Sequence, residues 1–550
     1  MKDFSIEYRQ KAIDELKSKK FDIVIIGGGI TGAGILLDAQ LRGLSCCIIE
    51  MQDFSEGTSS RSTKLIHGGL RYLKQFKFKL VRETGKERNV VAFIARHLTH
   101  PKKVVLPITK DGGFSKFQLK MALWMYDRLA NVPKSLRHRK LSKASLLKLF
   151  PNLSTANLLG GMEYTEYQTN DARLTIEVIK KGVEHGGIAI SRMKSEELLV
   201  DSNGKASGII AHDILGDHRI EIQGTVVINA TGPWSDRLFT GVGKTEGLKL
   251  IPTKGIHIVF DSIRFPLAHA MYFDTPDNRM IFAIPEDGMV YVGTTDTFYM
   301  GEIESPDLTL QDVKYLIQAC NVRFPDLNLE QHDLKGAWSG IRPLIAQESK
   351  KPSEISRKFE IFEAETGLLT IAGGKLTGYR KMAEKIVNLA IDNSFEEMKL
   401  ADCSTDTCKL DGSQYRSTKE YHKSLSDFVS KAIATTKWTI DEADWIFNHF
   451  GDQSFEILVV QVEVENNLPY YLHQTLLFSL AVEIVLTPLD FLTRRTNLIH
   501  FHLEIAVKYY ADIAEIVARV NKLPKDFMDA EEARFVALVG EIEEMRGLQK

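Results

Sequence analysis

Cysteine is scarce in this chain: five in 550 residues, Cys46, Cys47, Cys320, Cys403 and Cys408. None of them forms a CxxC pair or sits with histidines at zinc-ligand spacing, so a disulfide framework and a structural zinc site are not expected, and a reducing compartment is. Cys46 and Cys47 lie inside an apolar run and read as core residues. Long apolar runs are missing as well. A membrane-spanning helix needs about 20 largely apolar residues, and the best candidate, Leu476 to Leu486, is short and carries Glu483. The first twenty residues have charges every few positions and no apolar h-region, so no signal peptide is expected and the location reads as cytoplasmic. Excess charge of one sign is absent too. Seventy Lys plus Arg stand against 72 Asp plus Glu, which removes any whole-chain case for a nucleic-acid partner. No internal repeat, catalytic triad, P-loop, zincin motif or paired-carboxylate glycosidase pattern appears, and no metal site is expected. With 44% hydrophobic and 26% charged residues the composition is that of a soluble globular protein, and the length suggests about three domains.

The strongest positive signal is FDIVIIGGGITGAGILLDAQLRGLSCCIIE. Phe21 to Ile26 reads as a buried parallel strand, Thr31 to Arg42 as a helix ended by Gly43, and Ser45 to Ile49 as a second strand closing with Glu50. Within such a βαβ unit GxGxxG becomes specific for a dinucleotide. Gly27, Gly28 and Gly29 permit a tight turn and close backbone approach to a pyrophosphate, Gly32 lets the helix pack on the strand, and Glu50 stands where a carboxylate accepts from a ribose hydroxyl. A carboxylate there also repels a 2′-phosphate, which argues against NADP. Two later segments point to FAD rather than NAD. Gln223 to Trp234 reads as a strand ending in Ala230, Thr231 and Gly232, and Leu368 to Tyr379 as a strand running into Gly373 and Gly374 before a helix from Arg380 to Ala390.

GGGITGAGILLDAQLRGL, TSSRSTKLIHGGLRYLK, NDARL, INATGPW, KGIHIVF, VGTTD, SGIRPL and AGGKLTGYRKMAE together closely resemble the FAD-dependent, aerobic, quinone-linked glycerol-3-phosphate dehydrogenases. The resemblance runs from about Phe21 to Glu384 and continues more loosely through TPLDFLTRRTNL. It departs at Ile446 to Gly451, IFNHFG, where an arginine-bearing variant is expected. It implies an α/β fold with a large Rossmann-like FAD-binding domain, an antiparallel-sheet substrate domain and a C-terminal helical domain. By the motif spacing the first comprises residues 1–105, 160–240 and 340–395, the second 106–159 and 241–339, the third 400–550. The implied reaction is oxidation of sn-glycerol 3-phosphate to dihydroxyacetone phosphate, with hydride passing from C2 to flavin N5 and electrons going on to membrane quinone.

Such a substrate calls for cations around its phosphate and a base for its hydroxyl. By resemblance, Arg71, Tyr72, Arg342 and Lys375 are the phosphate and active-site contacts. For the base the candidates are His257 and His67, with water or Lys375 as further alternatives. His257 lies in KGIHIVF, where alternation with Ile256 and Ile258 places it on the face away from the core; His67 lies in the Gly68–Gly69 turn of a segment that resembles a flavin-contacting loop, and His67, Gly68 and Gly69 are expected to meet the cofactor. The polar run Thr58, Ser59, Ser60 to Lys64, then Leu65, is expected to meet FAD phosphate or the flavin ring, as are Leu376 and Thr377 beside Gly374. Glu83, Glu87 and Asp127 read as solvated acids.

Between Lys116 and Lys148 nine basic residues and one acid, Asp127, are interleaved with Phe117, Leu119, Leu123, Trp124, Met125 and Tyr126. Two readings stand there: a helix pair with a solvated basic face, or contact with an anionic membrane surface on the inner face of the cytoplasmic membrane. No insertion near residues 350–370, of the kind associated with oxygen-using glycerol-3-phosphate oxidases, is present, so quinone is the expected acceptor. An oxidase releasing hydrogen peroxide and an amino-acid or amine oxidase of the same fold are the alternatives. Homodimerisation is open.

Overall fold

A computed structural model describes residues 3–69, 78–110, 115–239, 245–277, 279–346, 358–462 and 467–547. Lys20–Ile26 is a near-continuous β-branched run, and such a strand is stable only where both faces are covered. It is the centre of a sheet in which it pairs in parallel with Cys46–Ile49 on one side and His218–Asn229 on the other. The path through that sheet is Phe359–Glu363, Leu369–Gly373, His218–Asn229, Lys20–Ile26, Cys46–Ile49, Ile188–Ile190. Alternate side chains serve opposite faces. Ile23 and Ile25 pack with Ile35, Leu174, Val178 and Ile386 from the helices Ile30–Arg42, Asp171–Glu184 and Tyr379–Ser394. Val24 and Ile26 pack with Leu16 of the N-terminal helix Ile6–Ser18 and with Ile209 and Ile222.

A second, largely antiparallel sheet pairs Thr99–Thr109 with Leu158–Thr169, Met280–Glu286 with Met289–Gly293, and Leu250–Asp261 with both Met289–Gly293 and Leu334–Ile345. Leu65–Ile66, which directly follows the polar run 58–64, pairs with Leu158–Thr169 and carries that run onto this sheet. Both faces of the sheet are covered. Ile256 and Ile258 share a core with Leu472, Leu476, Phe491, Ile499 and Ile513 of the C-terminal helical region, while Val259, Tyr291 and Trp338 pack with Leu119 and Leu123. The helical region therefore completes the core of the antiparallel sheet. No described helix is long and apolar enough to cross a membrane; Leu476 to Leu486 contains the end of the helix Tyr470–Val482.

Two expectations are corrected. Glu87 and Asp127 are buried, not solvated: Glu87 pairs with Arg380 at 2.8 Å, and Asp127 is 2.6 Å from His138 Nδ1. The helix expected from Arg380 to Ala390 is present as Tyr379–Ser394, after a 3₁₀ turn, Leu376–Gly378. His257 faces no open surface, since the far side of its sheet is roofed by the Lys116–Leu129 helix and the C-terminal region; it is 1% exposed.

Candidate functional site

The glycine turn is built from contacts that no Cβ tolerates. Gly27 has φ +110°, and a Cβ there would stand 2.7 Å from the Ala230 carbonyl oxygen; one at Gly32 would stand 2.0 Å from the Gly27 oxygen. Glu50 receives the Gly28 N–H at 2.7 Å and the Gln52 N–H at 2.9 Å, and burial pushes its carboxyl up to about 7. The Ser59 hydroxyl accepts the Ile30 N–H at 2.9 Å and so caps the helix that leaves the turn. On the neighbouring strand Ala230 N–H donates to Ile26, Thr231 donates through its N–H and hydroxyl to Asn229 Oδ1, and Gly232 takes φ +59°. A close-packed backbone turn, a helix N-terminus and a carboxylate at the end of the next strand fit a dinucleotide.

The second turn joins this one from the far side of the sheet. Gly373 and Gly374 both have positive φ, +75° and +87°, and Lys375 follows in extended conformation before Leu376–Gly378. Thr377 accepts the His67 N–H at 3.2 Å and donates to the His67 carbonyl at 3.4 Å, which ties the two loops together. Gly68 N–H reaches the Tyr126 hydroxyl and Glu166, Tyr126 donates to Glu166 at 2.7 Å, and Arg88 neutralises that carboxylate. Gly69 has φ +73°. Arg71 and Tyr72 lie outside the described residues.

The polar run 58–64 is held by protein partners. Thr58 donates to the Ile341 carbonyl at 2.6 Å, Ser60 weakly to Gly57, and Ser62 to Asp171. Lys64 is buried with its ammonium 2.7 Å from Asp171 and 3.2 Å from the Ser60 carbonyl, so its charge is already matched. Leu65 is a buried strand residue. Thr63 contacts the candidate base: its Oγ1 is 3.0 Å from His257 Nε2.

His257 stacks on Trp338 with ring centroids 4.7 Å apart and planes 14° from parallel. Its Nδ1 is buried with no hydrogen-bond partner among the described residues. Burial, then the charges of Arg342 and Lys64, push its pKa well below 6.5, so the ring is a neutral base. Gly293, opposite His257 in the sheet, makes room for it: a Cβ there would stand 2.1 Å from the imidazole. Arg342 lies across the same strands, donating to the Thr295 carbonyl, Asp296 and the Thr294 hydroxyl at 3.2, 3.2 and 3.0 Å. Gly255 leaves space for its guanidinium.

Residues distant in sequence thus converge. The charges of Arg342 and Lys64 both act on His257, and the polar run meets Leu334–Ile345 where Thr58 donates to Ile341. Sequence reading missed Trp338, which belongs to no quoted motif, and the partners of two residues that do: Thr63, which meets His257, and Asp171, which meets Lys64. It also missed what Arg494 and Arg495 do: both ion-pair with Asp53, at 2.5 Å each. The signal was present in TPLDFLTRRTNL, an arginine pair inside an otherwise apolar stretch.

The family described as FAD dependent oxidoreductase matches residues 22–380, and the family described as C-terminal domain of alpha-glycerophosphate oxidase matches residues 403–526. An aerobic glycerol-3-phosphate dehydrogenase of Staphylococcus epidermidis is 45% identical over 92% of this chain and 91% of its own. The crystal structure of the glycerol-3-phosphate dehydrogenase from Bacillus halodurans complexed with FAD superposes with a TM-score of 0.83 at 36% identity, covering 98% of each chain. An L-alpha-glycerophosphate oxidase from Mycoplasma pneumoniae shares the fold, with a TM-score of 0.57 at 14% identity over 71% of this chain and 98% of its own.

Proposed function

The chain belongs to the FAD dependent oxidoreductases and, among them, to the aerobic glycerol-3-phosphate dehydrogenases, and on that footing we propose that it oxidises sn-glycerol 3-phosphate to dihydroxyacetone phosphate. FAD, when bound, supplies the two-electron acceptor for the C2 alcohol. The residues that would hold it are Gly27, Gly28, Gly29, Gly32, Glu50 and Ser59 of the first turn, Ala230, Thr231 and Gly232 of the second strand end, and Gly374, Leu376 and Thr377 of the third. Thr58, Ser60 and Lys64 shape the loop over it. The observation that carries this reading is the Gly27–Gly32 turn with Glu50 accepting two backbone N–H groups beside it.

Arg342 and Lys375, with Arg71 and Tyr72, are proposed to bind the substrate phosphate. Arg342 is a partly exposed guanidinium fixed at the sheet's end by Thr294, Thr295 and Asp296, so it meets a dianion already oriented. His257, kept neutral by burial, takes the C2 hydroxyl proton. Thr63 and Trp338 hold its ring in place, and Gly293 admits it. His67, whose backbone is committed to Thr377, is the second choice.

Quinone is the proposed electron acceptor, the oxidase outcome being the alternative, and the Lys116–Leu129 helix is the proposed contact with the inner face of the cytoplasmic membrane. That helix buries Leu119, Leu123 and Tyr126 and leaves Phe117, Met121 and Trp124 exposed at 72%, 45% and 47%. The domain division expected from the motifs is kept as part of the proposal.

Replacing Arg342 by Ala tests the substrate reading. Losing one partner of a desolvated charge pair costs about 2 to 5 kcal/mol, roughly 30-fold or more in kcat/KM for glycerol 3-phosphate. Glycerol, which has no phosphate, is expected to be nearly indifferent. An equal loss for both substrates would assign Arg342 to the fold or the flavin instead.

A further inference from the structure

The loop that follows Cys46–Ile49 carries two acids, Asp53 and Glu56, that are fully or nearly fully buried. The loop is stitched to the glycine turn: Ser55 N–H donates to the Gly28 carbonyl at 3.0 Å, Ser59 caps Ile30, and Ser55 itself takes φ +69°, a left-handed conformation costly for a side-chain-bearing residue. Two buried carboxylates beside a turn that must accept a diphosphate would repel it. Both also bear on Glu50, whose carboxyl they push upward after burial has done so.

The cations that answer them come from the C-terminal region. In the segment Asp490–Arg495, Arg494 reaches Asp53 with Nε, Glu56 with Nη1 at 2.8 Å and Asp490 with Nη2 at 2.7 Å. Arg495 closes on both oxygens of Asp53, at 2.5 and 3.0 Å, and on the Glu483 carbonyl at 2.7 Å. Asp490 accepts from Leu486 and Thr487 N–H, which holds the segment's start. Arg534, less deeply set, adds a contact to Glu56 at 3.3 Å. Against the pull of burial, Arg495 and Arg494 hold Asp53 far below the ordinary carboxylate range, and Arg494, with Arg534, Arg61 and Arg192, holds Glu56 below it, so both are ionised and matched.

We propose that Arg494 and Arg495 are positioning residues for the cofactor: the helical region latches the Asp53–Glu56 loop onto the glycine turn and cancels its charge, and so retards the release of FAD. The proposal rests on the FAD reading above. A merely structural role is separable, because a second buried cluster, which meets Arg495 only at the Glu483 carbonyl, joins the helical region to the helix Asp171–Glu184 without touching this loop. There Lys180 contacts Gln453 at 2.8 Å, Glu483 at 3.2 Å and Glu177 at 3.3 Å.

The test dilutes full-length holoenzyme and follows flavin fluorescence as FAD leaves, alongside the thermal unfolding midpoint of each variant. Arg494→Met is expected to release FAD at least tenfold faster than wild type, with Arg494→Lys in between. Lys180→Met is expected to lower the unfolding midpoint while releasing FAD at the wild-type rate. Wild-type release from Arg494→Met, or equal acceleration in Lys180→Met, overturns the latch. Should Arg494→Met not accumulate in folded form, Arg494→Lys and the outer Arg534→Ala decide, both releasing FAD faster if the latch operates and at the wild-type rate if it does not. Wild-type protein purified without FAD would instead overturn the cofactor reading itself.

Discussion

Charge placement decides what each candidate residue can do. Lys64 and Arg342 each meet a carboxylate, Asp171 and Asp296, but Lys64 is buried whereas Arg342 lies at a partly exposed edge. His257 is the clearest case. Burial, followed by Arg342 and Lys64, lowers its pKa, so as pH falls through 6.5 the ring stays unprotonated and remains able to accept a proton. The acid limb of the flavin-reduction rate is therefore expected well below pH 6.5 and should vanish in His257→Ala, which should lose roughly 100-fold to 10,000-fold in that rate with FAD content unchanged. Stopped-flow reduction across pH checks this. A limb centred at 6.5 or above that survives in the mutant assigns the base to another group. His257 was legible as a polar residue in an apolar strand; its surroundings were not. Thr63 lies 194 positions away and Trp338 sits on a different strand, and local pattern carries no trace of either. The same reason hid the burial of Glu87, whose partner Arg380 is 293 positions distant.

Elements with strong local chemistry were readable. The central strand, the helix ended by Gly43 in left-handed conformation and the hairpin Met280–Glu286/Met289–Gly293 follow from β-branched runs, glycine and alternation. The 3₁₀ turn Leu376–Gly378 was not, because three residues are too few to show a period. The Lys116–Leu129 helix is legible in half. Its basic, apolar composition is plain in sequence, but only the fold shows which apolar residues are core and which are left over. Phe117, Met121 and Trp124 lie at intervals of four and three, on one outward stripe flanked by Lys116 and Lys120. Fully burying side chains of this kind is worth about 1.5 to 3 kcal/mol each. Co-sedimentation with phosphatidylglycerol vesicles is thus expected to fall at least tenfold in the double variant Phe117→Ser, Trp124→Ser, and wild-type binding is expected to weaken with salt. Unchanged sedimentation of the variant would remove this helix from any membrane contact.

At the scale of the whole molecule, three glycine-bearing strand ends at residues 26–32, 229–232 and 373–374 were enough to place the parallel sheet, because each must lie at the same edge to serve one extended dinucleotide. The docking of the helical region was beyond reach of sequence. It depends on ion pairs such as Arg495 to Asp53, 442 positions apart, and on a core shared between Ile256, Phe260 and the last helices. The two sheets and the helical region consequently meet around one site. The central claim is that this site passes electrons from glycerol 3-phosphate to bound FAD and then to quinone. Anaerobic mixing of the purified holoenzyme with glycerol 3-phosphate, followed by addition of either a soluble quinone or air, tests it most directly. The account predicts prompt bleaching of the oxidised flavin by glycerol 3-phosphate, none by glycine or D-amino acids, and recovery of colour far faster with quinone than with oxygen. A flavin that glycerol 3-phosphate leaves oxidised would contradict the substrate, and faster recovery in air with release of hydrogen peroxide would contradict the acceptor.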